Sequence, residues 1–257
     1  MAHPGASFVC SICLRALQRQ SAPLGARAFS ISANRSSEID PNLPRWRQTP
    51  PAMKMPYRLR PLPKQPVWKV NDRQDLLDEM YDKLFGRIGE MAKGQPGVTS
   101  TRGRDLLPEE IKWLAVTHKS FDHGRQGFND RLAFLGKRIV DLETSIALIQ
   151  APAPQSPIIN ERNVFNHPSL EGVENISTFN KAQILAPARV AQIARSFGVD
   201  KVVRWKPKKS DNLQGSGVDT VLAHTMYSII GALALQRGGE LAVRAARERI
   251  LRPLGLR

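Results

Sequence analysis

The stretch NDRLAFLGKRIVDL, residues 129–142, has the apolar spacing of an amphipathic helix and one charge in an unexpected place. Lys137 directly follows Leu135-Gly136, at the point where such a helix would face a polar cleft. A second constellation lies in residues 41–70, where Trp46, Tyr57 and Trp68 interleave with Arg45, Arg47, Arg58, Arg60, Lys64 and Lys69. That strip can pair arginines with phosphates and stack aromatic rings on bases, or it can dock on the protein's own surface through Tyr57 and Trp68. A third is CSIC, holding the two cysteines of the chain, Cys10 and Cys13. The C-x-x-C spacing suits a redox pair or half a zinc site, but no second Cys/His pair completes a zinc set and no strand-helix context surrounds it. Disulfides therefore do not hold this fold together.

Stepping outward, 257 residues suffice for one well-packed domain with extensions, and the hydrophobic fraction of 41% fits a globular core. No stretch approaches the ~18 uninterrupted apolar residues of a transmembrane helix, so no membrane span is expected. The formal charge is +15 and is unevenly placed: residues 1–70 hold eleven Lys/Arg against Glu38 and Asp40. Such an excess points to a polyanionic partner, nucleic acid or an anionic membrane surface, rather than to a merely soluble basic protein. Before Glu38 there is no acid, and Arg15, Arg19 and Arg27 are spread among Ala, Ser, Leu and Phe. This is the composition of a mitochondrial transit peptide, expected over 1–29, with ARAFSIS (26–32) similar to a matrix-processing site. A secretory signal fits less well, because ASFVCSICL is short and its arginines follow the apolar run.

Residues 41–70 carry eight prolines and seven Lys/Arg with no acid, so they form an extended arm that builds no core alone. Helical spacing begins near Asn71. One helix is predicted over 71–92 behind an Asn71 or Asp72 cap, and another over 106–118 with Pro108 at its first position and Glu109-Glu110 at the positive helix end. The third covers 129–150, with Leu132, Leu135, Ile139, Leu142 and Ile146 on one face. After a long polar loop over 151–180 come a helix over 181–198 closed by Gly198, a basic turn-rich stretch over 199–217, a strongly apolar helix over 218–239 and a basic amphipathic helix over 240–254. The pattern is all-α and shows no internal repeat.

Three pieces in order, THKS (117–120), NDRLAFLGKRIVDL (129–142) and LAHTMYSIIGALAL (222–235), resemble the ribonuclease III family over roughly residues 106–250. Gly136 and Gly231 anchor the register, since both suit close helix approach. Active members of that family cut double-stranded RNA with carboxylates that hold Mg²⁺, a hard cation that prefers oxygen ligands. Carried over position by position, the resemblance puts Ala133 and Lys137 where the first helix has its metal-binding Glu and Asp, and His224 and Tyr227 where the second has its Asp and Glu. Asp130 is a conservative change. An ammonium at Lys137 repels Mg²⁺ by several kcal/mol at short range even at an effective dielectric of ~20. His224 with Asp219 or Glu143 offers another set of metal donors, for which the spacing gives no reason.

The resemblance thus implies an RNase III-like helical domain over 71–257, behind an extended basic Pro-rich N-terminal arm over 30–70, with no catalytic residue, metal or cofactor. It also implies that the double-stranded-RNA-binding module of active members is missing after Gly239. RNA contacts are then expected from the arm, from Lys206, Lys208 and Lys209 in the RWKPKK turn, and from the last helix through Arg244, Arg247, Arg249 and Arg252. Family domains pair through the signature helix, so Phe134 and Leu135 are expected at an interface with a second RNase III-like subunit, or in the domain's own core. Leader, arm and altered domain together resemble RNase III-like proteins of mitochondrial large ribosomal subunits, including fungal ones. The expected role is structural, with large-subunit rRNA and ribosomal proteins as partners. The alternatives are a mitochondrial RNA-processing or splicing factor that binds double-stranded RNA, and a divergent endoribonuclease.

Overall fold

A helix that is apolar on every side belongs in the middle of a protein, and VDTVLAHTMYSIIGALALQR is one. In the computed structural model it spans Val218–Arg237, and Leu222, Met226, Ile229, Ile230 and Leu233 within it have no exposed surface. Around it, in chain order, stand α1 (Gln74–Met91), α2 (Glu109–Val116), α3 (Asp130–Gln150), α4 (Thr178–Ile184), α5 (Pro187–Ser196) and the single turn α6 (Val199–Val202). The central helix is α7, and α8 (Gly239–Ala246) follows it and widens into a π-helical turn, Arg247–Leu251. The structure describes residues 68–91, 102–151, 167 and 172–256, all within the unit Leu43–Arg257. Among them the one extended pairing is an isolated bridge between Thr117 and Arg204, so the domain is all-α. Although α7 is long and apolar enough to cross a bilayer, 67% of its most apolar window is buried inside the domain, which accounts for its composition.

The packing of α3 on α7 organises the rest. A Cβ on Gly136 would fall 1.8 Å from the Tyr227 carbonyl oxygen, and one on Gly231 would fall 2.0 Å from that of Leu132. The two backbones touch, and only a hydrogen on each side fits between them. Asn129, fully buried at the start of α3, donates from Nδ2 to the Ala115 carbonyl at 3.0 Å and to Ser228 Oγ at 3.4 Å. This fixes where α3 begins relative to α2 and α7. On the far side, α1 buries Leu77, Met80, Tyr81, Leu84 and Phe85, and Trp113 of α2 is fully buried with its Nε1 donating to Gln74 Oε1 at 2.8 Å. The Lys112 ammonium, also buried, lies 2.6 Å from the Asp78 carboxylate, the pairing that a buried charge requires.

Several boundaries differ from the sequence expectation. α1 starts at Gln74, because Asn71 closes a turn of its own: its Oδ1 accepts the Arg73 N–H at 3.0 Å. The single helix expected over 181–198 is two, since Pro187 cannot continue a helix and holds Ala186 extended at ψ 132. The helix expected over 240–254 is α8 followed by the π-helical turn, where Arg247 pairs with Glu143. Leu142, expected on one face of α3 with Leu132, Leu135, Ile139 and Ile146, is exposed whereas Leu132 is buried. The leader with CSIC, the arm up to residue 67, and residues 152–166 and 168–171 of the long loop lie outside the described residues.

Candidate functional site

Where α3 crosses α7, three of the four positions singled out by the sequence, Lys137, His224 and Tyr227, come together. Ala133 is 2% exposed, its methyl part of the core, and Tyr227 on α7 is nearly buried. Lys137, one turn along α3, is exposed. Lys137, His224 and Tyr227 line one hollow of about 480 Å³, with Asp141, Lys181 and Thr220 also on its wall. Burial, with the Asp141 charge adding to it, pushes the Tyr227 phenol up to about 12, so the hydroxyl stays protonated and is a hydrogen-bond donor. His224 Nε2 lies 3.0 Å from Asp130 Oδ1, and the Lys119 ammonium lies 3.6 Å from Asp130 Oδ2. Asp130, the acidic residue kept from the family pattern, is thus already engaged by two side chains.

This donor set does not fit Mg²⁺. A methyl, an ammonium, a protonated phenol and an imidazole occupy the four positions, and Mg²⁺ takes carboxylate and water oxygens. Among the described residues no group of three or more His, Cys, Asp or Glu side chains is placed to hold a metal ion. The other donors considered for His224 are engaged elsewhere: Asp219 pairs with Arg195, and the buried Glu143 pairs with Arg247.

His118 of the THKS stretch stands edge-on to His224, ring centroids 5.8 Å apart, a neighbour that sequence distance hides. Its Nδ1 accepts the Ser120 N–H at 3.2 Å, which puts the ring proton on Nε2. Burial, reinforced by His224 and Lys119 and opposed by Asp130, lowers the His118 pKa to about 4. The unfolded chain takes up a proton near pH 6.5 that the folded ring resists, so the full stability is present above that pH and is lost as the pH falls toward 4. The gap corresponds to at most about 3 kcal/mol, and roughly 2 kcal/mol is expected once solvent at the partly exposed ring is allowed for. Urea unfolding at pH 7.5 and pH 5 should show this loss in the wild type and a smaller one in His118→Gln; equal losses would remove His118 as its source.

The basic residues divide into free and engaged. Arg45, Arg47, Arg58, Arg60 and Lys64 lie outside the described residues, whereas Lys69 is exposed next to Trp68, which meets Trp205 edge-on at 6.0 Å. Trp68 is thereby docked on the domain. Lys206, Lys208 and Lys209 are exposed on a turn held by backbone N–H groups of Lys206 and Lys209 donating to Ser120 and Ser216 hydroxyls, each at 3.0 Å. Arg204, at the head of the same turn, is buried between Phe121 and Trp113, its guanidinium 4.3 and 5.4 Å from the ring centroids. It belongs to the scaffold. Arg244 pairs with Glu240 at 3.3 Å, Arg247 with Glu143, and Arg249 lies over the Phe197 ring at 5.9 Å, leaving Arg252 exposed on the last turn.

The outer face of α3 is apolar. Phe134 is 64% exposed with the Arg138 guanidinium over its ring, while Leu135 is half-buried. Leu142 at 59% and Ile149 at 42%, eight and seven residues further on, extend the same stripe. The sequence pattern pointed to Phe134 as an interface residue but grouped Leu142 with Leu132 on the other apolar face and left Ile149 out, although their spacing from Phe134 was available as a signal.

Comparison with known proteins sets this geometry in context. The family model described as Ribonuclease-III-like matches residues 108–254. The chain is 39% identical over 217 residues to "Large ribosomal subunit protein mL57" of Neurospora crassa, a match covering 82% of this chain and 76% of that protein. It is 30% identical over 156 residues to "Ribonuclease 3" of Mycobacterium tuberculosis, covering 58% of this chain and 55% of that one. The chain therefore spans about half the length of that bacterial ribonuclease. The nuclease domain of Ribonuclease III from Campylobacter jejuni aligns with a TM-score of 0.44 at 20% identity, over 68% of this chain and 99% of that one.

Proposed function

The chain belongs to the ribonuclease-III-like family, and from that premise we propose that it is a structural component of the large subunit of the mitochondrial ribosome. One observation carries the reading: the 39% identity over 82% of the chain is to a large ribosomal subunit protein. The charge of +15 agrees with it, since a protein seated in rRNA neutralises phosphates and releases counterions. In this reading residues 1–29 direct the chain to the matrix, residues 30–70 run along rRNA, and 71–257 form the docking domain. Lys69, Lys206, Lys208 and Lys209 supply phosphate contacts, and Arg244 and Arg247 contribute where their carboxylate partners leave donors over. UV cross-linking in intact mitochondria, followed by sequencing of the attached RNA, should recover large-subunit rRNA. Precursor or intron RNA in its place would favour a processing or splicing factor.

The domain acts without cutting RNA. An ammonium at Lys137, a methyl at Ala133 and a protonated phenol at Tyr227 leave no carboxylate cage for the cation that phosphodiester cleavage in this family requires. At micromolar protein with Mg²⁺ or Mn²⁺, duplex RNA should stay intact. Cleavage that disappears in His224→Ala would establish the endoribonuclease instead.

The exposed stripe Phe134, Leu142 and Ile149 on α3 is the surface through which a second RNase III-like subunit docks. An apolar stripe of this kind on a helix that carries Arg131, Lys137 and Arg138 beside it suits a partner that is apolar at its centre and acidic at its rim.

A further inference from the structure

The hollow at the crossing of α3 and α7 is a cationic one. Lys137 makes no hydrogen bond or ion pair among the described residues, and Lys181 of α4 makes only a long contact, 3.4 Å from Ser145 Oγ on α3. Two lysines thus line one hollow whose single lining carboxylate is Asp141. The protonated Tyr227 hydroxyl and the Thr220 side chain line the same space. At about 480 Å³ it falls in the size range of small-ligand sites and has room for a phosphate with its sugar.

Lysines without a carboxylate partner, gathered along one concave surface, give it a positive bias that attracts an anion. We infer that this hollow binds a backbone phosphate of RNA directly, with Lys137 and Lys181 as its charged donors and the Tyr227 hydroxyl as a neutral third. The choice of RNA over another anion rests on the ribosomal reading above; the charge and shape of the hollow do not.

The test uses the full chain and a short RNA duplex as probe, with binding followed by fluorescence anisotropy across a range of KCl concentrations. Lys137→Gln/Lys181→Gln removes both ammonium groups, and since Lys137 is exposed and Lys181 is on the surface helix α4, the double variant should melt as the wild type does. Loss of two phosphate contacts should flatten the slope of log K against log salt by about 1 to 2 and weaken binding roughly tenfold at low salt. Lys137→Arg/Lys181→Arg should keep both. An unchanged slope and affinity in the glutamine variant, with melting intact, would overturn the inference. The inference and the ribosomal reading fail separately: a chain that sediments with the large subunit yet shows no change in slope loses only the site. A chain that leaves the subunit but shows the change loses only the reading.

Discussion

A Gly136→Ala protein fails to reach a stable fold. The new methyl would lie 1.8 Å from the Tyr227 carbonyl oxygen and is met by backbone on both sides, the nearest further atom being the Gly231 amide nitrogen at 2.7 Å. No rotamer relieves this, so α3 and α7 must separate, and the contact of Asn129 with Ser228 opens with them. Ordinary overpacking costs about 1–3 kcal/mol, and a backbone overlap at the main helix pair exceeds that, reaching a large part of the ~5–15 kcal/mol that holds a domain folded. Gly231→Ala should behave alike, since its methyl would fall 2.0 Å from the Leu132 carbonyl oxygen. Gly86→Ala in α1 is the control: nothing lies within 4 Å of its Cβ position, and replacing a mid-helix glycine stabilises by about 0.5–1 kcal/mol. Thermal melting followed by circular dichroism distinguishes them. A Gly136→Ala melting temperature within a few degrees of wild type would show that the helices do not touch.

Phe134→Asp combined with Leu142→Asp should abolish the proposed pairing with a second RNase III-like subunit and leave the chain itself as stable as before. Both side chains face solvent, at 64% and 59% exposure, so their loss removes little from the domain beyond the stacking of Arg138 on the Phe134 ring. Burying a phenylalanine and a leucine at an interface contributes about 1.5–3 kcal/mol each, and forcing two carboxylates against the partner adds a desolvation penalty. A drop in affinity of a thousandfold or more follows, enough to lose the partner on purification. Unchanged melting with lost co-purification is the expected pair of results. Retained co-purification would move the interface away from α3.

Much of the site was legible in the sequence because it depends on local spacing. Gly136 and Gly231 anchored the expected register of α3 against α7, and both lie where the two backbones meet; Lys137, His224 and Tyr227 line one hollow there. Contacts made by distant residues were not legible. Nothing in RWKPKK distinguishes Arg204, buried between Phe121 and Trp113, from the exposed lysines after it. His118 meets His224 only because α7 brings position 224 beside the turn after α2. Lys181 lies on the wall of the hollow because Pro187 breaks the chain between α4 and α5, and a continuous helix would have pointed it elsewhere. Leu142 was placed on one face with Leu132 by apolar spacing, which does not show which positions of that face are covered.

The central claim is that this chain is built into the large subunit and does not visit it. A sucrose gradient of detergent-lysed mitochondria in roughly 0.5 M salt, with the protein followed beside large- and small-subunit rRNA, tests it directly, because loosely held electrostatic binders dissociate at that ionic strength. Co-migration with large-subunit rRNA is the expected result. Recovery at the top of the gradient, or in a lighter RNA particle, would contradict it.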